Sequence, residues 1–196
     1  MTLRVVAGVQ KGRRLKQPVG PGLRPTSARV KEALFSIIAD RLPNAQVLDL
    51  YAGTGALGLE ALSRGAREVV FVENQESTIN VLRENIQNCS LTQCCTIIAE
   101  DVETFLTTPS SLNDTTTFDL VFADPPYEIS NLDPLLSKLD AAQRITRNGF
   151  VVVEHFKKTL LPLRTGQLQQ SKQSRYGDTM LSFYQFIPPS TENSCA

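Results

Sequence analysis

The sequence predicts an α/β domain built on a mostly parallel sheet, and three stretches carry that prediction. Val47 to Leu62 passes from strand-like to helix-like chemistry at its glycines. Glu68 to Asn74 is an apolar run closing on an acid, and Phe118 to Tyr127 repeats that pattern before two prolines. Short apolar runs ended by an acid, glycine or proline are how strands buried on both faces read, and helical periodicity between them supplies the crossovers that parallel strands require. At 196 residues the chain suits one domain with a small appendage. The expected division is a basic N-terminal hairpin appendage over 1–22, the main domain over 23–187 and a flexible tail over 188–196.

The elements follow in order. Leu3-Arg-Val-Val-Ala-Gly8 alternates weakly and can pair with Arg14-Leu-Lys16 around a turn near Gly12. Pro18, Gly20, Pro21 and Gly22 mark a linker. Leu23 to Ile38 reads as a helix, with Thr26 or Ser27 as its cap and Val30, Leu34, Ile37 and Ile38 as its apolar face. Arg24 and Arg29 fall at its entrance, where cations oppose the helix dipole, and that conflict points to an anionic ligand. From Arg4 to Arg41 nine basic residues meet only Glu32 and Asp40, on a chain of zero net charge, so a polyanion partner is expected on this side.

Val47, Leu48 and Leu50 form the first buried strand, interrupted by Asp49. After Gly53 and Gly55, the positions Leu57, Leu59, Ala61 and Leu62 mix with Glu60 and Arg64 as far as a capping Gly65. Strand, tight turn and helix in this order suit a nucleotide-like cofactor, because glycines admit a close approach and the helix start offers free N–H groups. The spelling Gly53-x-Gly55-x-x-Gly58 also fits a dinucleotide fingerprint, so a nicotinamide oxidoreductase is a competing reading. Asp49 discriminates between them. A carboxylate aimed at the turn repels a pyrophosphate and attracts the charged amine of an aminoacyl group, which S-adenosylmethionine carries. Asp49, Tyr51, Ala52, Gly53, Thr54 and Gly55 are therefore the first part of an expected S-adenosylmethionine site.

Glu68 to Asn74 is the second strand, and Glu73 follows Gly53 at about the spacing of ribose-binding acids, with Asn74 beside it. Ser77 to Asn88 reads as a helix and Thr96 to Ala99 as a third strand. Asp101 can then accept from an adenine amine while the Val102 N–H donates to a ring nitrogen. A helix N-cap is the competing role for Asp101.

Leu120 to Ala123 makes the fourth strand, and Asp124-Pro-Pro-Tyr127 ends it at the sheet edge where open α/β sheets bind ligands. Pro125 and Pro126 stiffen the loop and remove donors, leaving carbonyl acceptors beside a carboxylate and an aromatic ring. An exocyclic amine on a flat base suits this corner. Asp124 and the Pro125 carbonyl can accept its hydrogens, Tyr127 can stack on the base, and Asp124 also borders the donor. Positioning two reactants in line is much of what such a site contributes.

Leu135, Leu136, Leu139 and Ala142 predict a helix, and Gly149 to His155 a fifth strand in which His155 is structural rather than an acid or base. Gln167 to Lys172 reads as polar and mobile, and Arg175 to Ile187 as an antiparallel hairpin turning at Gly177-Asp178. Cys89, Cys94, Cys95 and Cys195 lack paired ligand spacing, so they read as free thiols and no metal is expected. No apolar stretch spans a bilayer, no membrane partner is expected, and a reducing cytoplasm is the expected setting. An organelle stroma or matrix fits if a transit peptide has been removed.

These residues resemble one family, the bacterial 16S ribosomal RNA guanine-N2 methyltransferases. The resemblance runs from Arg4-Val-Val-Ala-Gly8 through Gly12-Arg13, Leu23-Arg-Pro-Thr26, Leu48 to Arg64 and Asp124-Pro-Pro-Tyr127 to Tyr176-Gly177. Tyr127 stands where phenylalanine also occurs, and the cysteine cluster and the Ser/Thr-rich loop at Thr107 to Thr117 depart from the pattern. The resemblance implies a Rossmann-like methyltransferase fold with a central seven-stranded sheet, S-adenosylmethionine as donor, and a guanine on an assembling small ribosomal subunit. Small-subunit ribosomal RNA would then meet Arg4, Lys11, Arg13, Arg14, Arg24, Pro25, Thr26 and Arg29, with the protein acting as a monomer. Asp-Pro-Pro-Tyr loops also serve adenine-N6 and glutamine methyltransferases. Little chain remains for the target-recognition module of a DNA enzyme. A noncatalytic RNA-binding assembly factor is the reading from another class.

Overall fold

The computed structural model describes residues 3–18, 28–108 and 116–187. The helices are α1 (Ala28–Ile37), α2 (Ala56–Ser63), α3 (Glu76–Asn88), α4 (Val102–Thr107) and α5 (Asp133–Ala141). The strands are β1 (Gln46–Leu50), β2 (Glu68–Val72), β3 (Cys95–Ile98), β4 (Phe118–Ala123), β5 (Ile145–Phe156), β6 (Arg164–Thr165), β7 (Leu168–Tyr176) and β8 (Thr179–Phe186). They form one sheet in the order β3-β2-β1-β4-β5-β8-β7-β6. β1 to β5 run parallel, and β8, β7 and β6 add antiparallel strands beyond β5.

Strand alternation builds three layers. Val47, Val69, Phe71, Leu120 and Phe122 face a cluster shared with α1, α2 and α3, whereas Leu48, Leu50, Val70, Val72, Val121 and Ala123 face α4 and α5. Asp49 shares the face of Val47, under α2, which fixes what its carboxylate can reach. Gly58 lets α2 lie close on that face, since a Cβ there would stand 2.4 Å from the Phe71 ring and 2.8 Å from Val69.

Two expectations change. The sheet has eight strands among the described residues rather than seven, because Arg164–Thr165 pairs with Leu168 and Gln169 at the outer edge. The N-terminal hairpin, by contrast, forms as expected, as a strap in which Arg4 bridges Arg14 and in which Leu15 N, Val5 N and Gly12 N donate to Leu3 O, Arg13 O and Val5 O, each at 2.9 Å. Other backbone groups of the strap go to side chains: Glu60 accepts from Val6 N at 2.7 Å and Ala7 N at 2.9 Å, and Ser63 Oγ accepts from Gln10 N at 2.9 Å. Leu3, Val5 and Leu15 are buried in the same cluster as Val30, Leu34 and Phe35. Finally, most of Gln167 to Lys172 belongs to β7, whose ladder to β8 shifts register between Gln170 and Lys172. A polar strand exposed along much of its length carries no apolar alternation to betray it.

The predicted caps Thr26 and Ser27, the RNA-contact residues Arg24, Pro25 and Thr26, Cys195 and the 188–196 tail lie outside the described residues. Among the described residues no helix is long and apolar enough to cross a membrane.

Candidate active site

The parallel strands end together along one edge. Leu50 is level with Val72 and Ala123, Val72 with Ile98, and Ala123 with Val153. One residue further on, Tyr51, Glu73 and Asp124 therefore stand side by side, at the point where the chain leaves β1 for one side and β4 for the other, the place where open α/β sheets bind ligands.

The turn after β1 is built from unusual backbone. Tyr51, Gly53 and Gly55 have φ of 57°, 55° and 77°. The value at Tyr51 is the one that a side chain makes costly, and such outliers gather where a ligand must be met. The two glycines differ in surroundings. A Cβ on Gly55 would lie 2.4 Å from Leu82, whereas on Gly53 the nearest atom is the Tyr51 carbonyl at 3.8 Å. Gly55 thus faces packing and Gly53 faces open space. Ala52 N donates to Val72 O at 3.1 Å, and the Thr54 carbonyl accepts from buried Asn85 at 2.9 Å, so both ends of the turn are tied to the fold.

Glu73 holds the loops together. Its Oε2 accepts from Gly53 N at 2.9 Å, and its Oε1 from Asn74 N at 3.0 Å and Gln75 N at 2.9 Å. A carboxylate has about four lone-pair sites, so this one keeps room for a hydroxyl donor. Asp101 takes its competing role as well: Oδ1 caps α4 through Glu103 N at 2.8 Å, while Oδ2 accepts from Asn74 Nδ2 at 3.3 Å. Val102 opens α4, and its N–H has no intrahelical partner.

Tyr51, Glu73, Asn74, Asp101 and Val102 come together around one cleft, joined by Val72 and Glu100. Sequence reasoning had not assigned those last two a role, although each directly precedes a predicted site residue at a strand's carboxyl end. Three carboxylates line the cleft and, among the described residues, no lysine or arginine does. Burial, with the charges of Asp101 and Glu103, pushes the Tyr51 phenol up to about 12, so it stays a neutral hydroxyl.

Asp49 is 2% exposed, and its Oδ2 accepts from Gly58 N in the first turn of α2 at 2.9 Å. Burial pushes its carboxyl well above the usual range, Gly58 opposes that, and the neighbouring charges of Asp124 and Glu73 add to the rise. Asp124 and Glu73 are thus close enough to repel the Asp49 carboxylate, and a cation beside them relieves that repulsion.

At the β4 end, Pro125 is buried while Pro126 and Tyr127 are exposed, and Ile129 N closes a turn on Pro126 O at 3.1 Å. The Tyr127 ring leans on Phe156, with ring centroids 6.1 Å apart, and its hydroxyl lies 3.2 Å from Thr179 Oγ1. Sequence reasoning missed both partners, because β5 and β8 reach Tyr127 only through the sheet. His155 is buried between Ser182 Oγ, 2.8 Å from Nε2, and Phe156 O, 3.0 Å from Nδ1. That is a structural placement. Cys89, Cys94 and Cys95 are free, and burial with its cysteine neighbours pushes the Cys95 thiol up to about 12. Arg4, Lys11, Arg13, Arg14 and Arg29 are exposed on the strap and at the start of α1.

A glycine turn, an acid after β2 and an acid-diproline-tyrosine corner on one sheet edge define a Rossmann-like methyltransferase dependent on S-adenosylmethionine. The chain belongs to the family described as Conserved hypothetical protein 95, which matches residues 3–185. A Bacillus subtilis protein described as a candidate rRNA methyltransferase is 36% identical over 182 residues, 93% of this chain and 98% of that one. The Haemophilus influenzae protein named Ribosomal RNA small subunit methyltransferase D is 36% identical over 154 residues, 78% of each chain. Among solved structures, a hypothetical protein from Thermus thermophilus superposes with a TM-score of 0.78 at 32% identity, covering 92% of this chain and 97% of that one.

Proposed function

We propose that the chain methylates the exocyclic N2 amine of a guanine in small-subunit ribosomal RNA, on an assembling subunit. The observation that carries this is the meeting of a cation-attracting cleft, lined by Glu73, Glu100 and Asp101 without a basic residue, with the Asp124-Pro-Pro-Tyr127 corner. An acidic wall disfavours the pyrophosphate of a nicotinamide cofactor. The names of the relatives supply the ribosomal RNA.

When bound, S-adenosylmethionine supplies a methyl group on a sulfonium. Glu73 would accept a hydrogen bond from a ribose hydroxyl with its remaining lone pair, the Val102 N–H and Glu100 or Asp101 would hold the adenine edge, and Gly53 would admit close contact. Asp49 supplies negative charge beneath the turn, toward an amine. Asp124 and the Pro125 carbonyl accept the two hydrogens of the guanine amine and so orient its nitrogen. Tyr127 stacks on the base. The proton released as the new N–C bond forms passes to Asp124 or water.

In this reading residues 1–22 contact RNA, 23–187 form the catalytic domain, and the protein works as a monomer in the cytoplasm, where subunits assemble. The test is transfer of tritiated methyl to small-subunit particles lacking the modification and to naked RNA, followed by mass mapping of the labelled nucleotide. Label on guanine N2 in particles supports the reading; label on adenine, or on protein alone, overturns it.

A further inference from the structure

Tyr127 belongs to a short loop closed by a backbone bond from Ile129 N to Pro126 O, yet its ring is held from outside that loop. Two of its points of support lie on one rung of the sheet. Phe156 pairs with Thr179 at the end of the β5–β8 ladder; Phe156 meets the ring, and the Thr179 hydroxyl meets the phenol. The next position out closes that rung, with Lys157 N donating to Asp178 O at 2.9 Å and Lys157 Nζ paired to Asp178 Oδ1 at 2.8 Å. The turn itself needs Gly177, at φ 67°. Just inside the rung, His155 bonds Ser182 across the same pair of strands.

Tyr127 is 37% exposed, and rotation about χ1 leaves several rotamers open to its ring. Two contacts from a closed ladder rung select among them before any base arrives, which lowers the ordering cost of forming the reactive complex. We infer that Thr179 and Phe156 are positioning residues: the C-terminal hairpin sets the aim of Tyr127, and Thr179 does so through the phenol hydroxyl. The inference rests on the methylation reading for its kinetic consequence, but the tether itself exists in the free protein.

The test uses the full chain as wild type, Tyr127→Phe, Thr179→Val, Thr179→Ser and the double variant Tyr127→Phe/Thr179→Val. Valine keeps the β-branched shape that suits a strand start, and serine keeps the hydroxyl. Without RNA, amide exchange at Ile129 should quicken about threefold to tenfold in Thr179→Val and Tyr127→Phe, and stay near wild type in Thr179→Ser. With tritiated donor and unmodified small-subunit particles, kcat should fall by about the same factor in each of the two single variants, with the donor KM unmoved. The double variant should be no slower than the slower single variant. Unchanged exchange in Thr179→Val, losses that multiply in the double variant, or a serine variant as impaired as valine would each overturn the tether. If no particle accepts methyl, the substrate reading fails, and the exchange result still decides the tether.

Discussion

Two buried acids in this chain are shifted in opposite directions although burial pushes both upward, and the difference is what surrounds them. Burial pushes Glu60 up, but the Val6 N–H, Lys31 and Arg64 outweigh it and hold the carboxyl below its ordinary 4.5. Asp49, with burial and two like charges against a single backbone N–H, is pushed up. The native state therefore keeps the Asp49 proton after the unfolded chain has released it. Its contribution to stability falls as pH rises above 3.8 toward the folded value. Glu60 does the reverse: its contribution is complete above 4.5 and is lost as pH falls through the folded value. Asp49→Asn, which can still accept from Gly58, is expected to melt at or above the wild-type temperature at neutral pH without donor. It should also bind donor more weakly. Because a cation favours the ionised carboxylate, donor binding below the folded pKa should release protons. Calorimetry in two buffers of different ionisation heat measures that release, and the asparagine variant should lack it. The neighbouring acids divide the work differently. Asp124→Ala should keep donor affinity within about tenfold while losing most turnover, whereas Glu73→Ala, which also frees three backbone N–H groups, should chiefly weaken the donor. A severe loss of affinity in Asp124→Ala would reverse that division.

Among the elements, the turn before α2 and the first turn of α2 each carry a glycine with its own job. Gly53→Ala meets open space at a left-handed φ of 55°, so it should cost about 1 kcal/mol of backbone strain and act mainly on donor affinity. Gly58→Ala drives a methyl into Phe71 and Val69, so it should cost about 2 kcal/mol and act mainly on stability. Urea unfolding and donor calorimetry on both variants separate the two. On the far side of α2, Glu60 anchors the strap through Val6, Ala7, Lys31 and Arg64. Glu60→Gln should cost about 3 kcal/mol, as breaking a buried ion pair does, and amide exchange at Val6 and Ala7 should rise with it. The strand-turn-helix around Gly53 and the strands ending in Glu73 and Asp124 were legible because each is local: an apolar run, a breaker and an acid within ten residues or so of one another. The partners of Glu60 and Asn85 were not. Val6, Lys16 and Lys31 lie far off in sequence, and a glutamate in a helix reads as a solvated face until the strap covers it.

Across the whole molecule, the charge asymmetry visible in the sequence is real surface: Arg4, Lys11, Arg13 and Arg14 are exposed on a strap held by its backbone. Affinity for RNA should therefore fall with salt. Arg13→Ala and Arg14→Ala should each reduce the slope of log K against log salt by about one, uniformly across RNA sequences. Filter binding over a salt series tests this, and a slope unmoved by either change would take the strap out of the interface. The gathering of Tyr51, Glu73 and Asp124 along one sheet edge was also readable, because a parallel order fixes which ends lie together. The hairpin's hold on Tyr127 was not, since it depends on an antiparallel return 52 residues downstream.

The strap's anchors set an order of events at birth. Residues 3–16 leave the ribosome ahead of Glu60, Ser63 and Asn85, which fasten them. The nascent chain must carry this basic segment unfastened until α3 has emerged. A newly made protein thus completes its basic strap only after the glycine turn at Gly53, which lies between the strap and those anchors in the chain, has been synthesised.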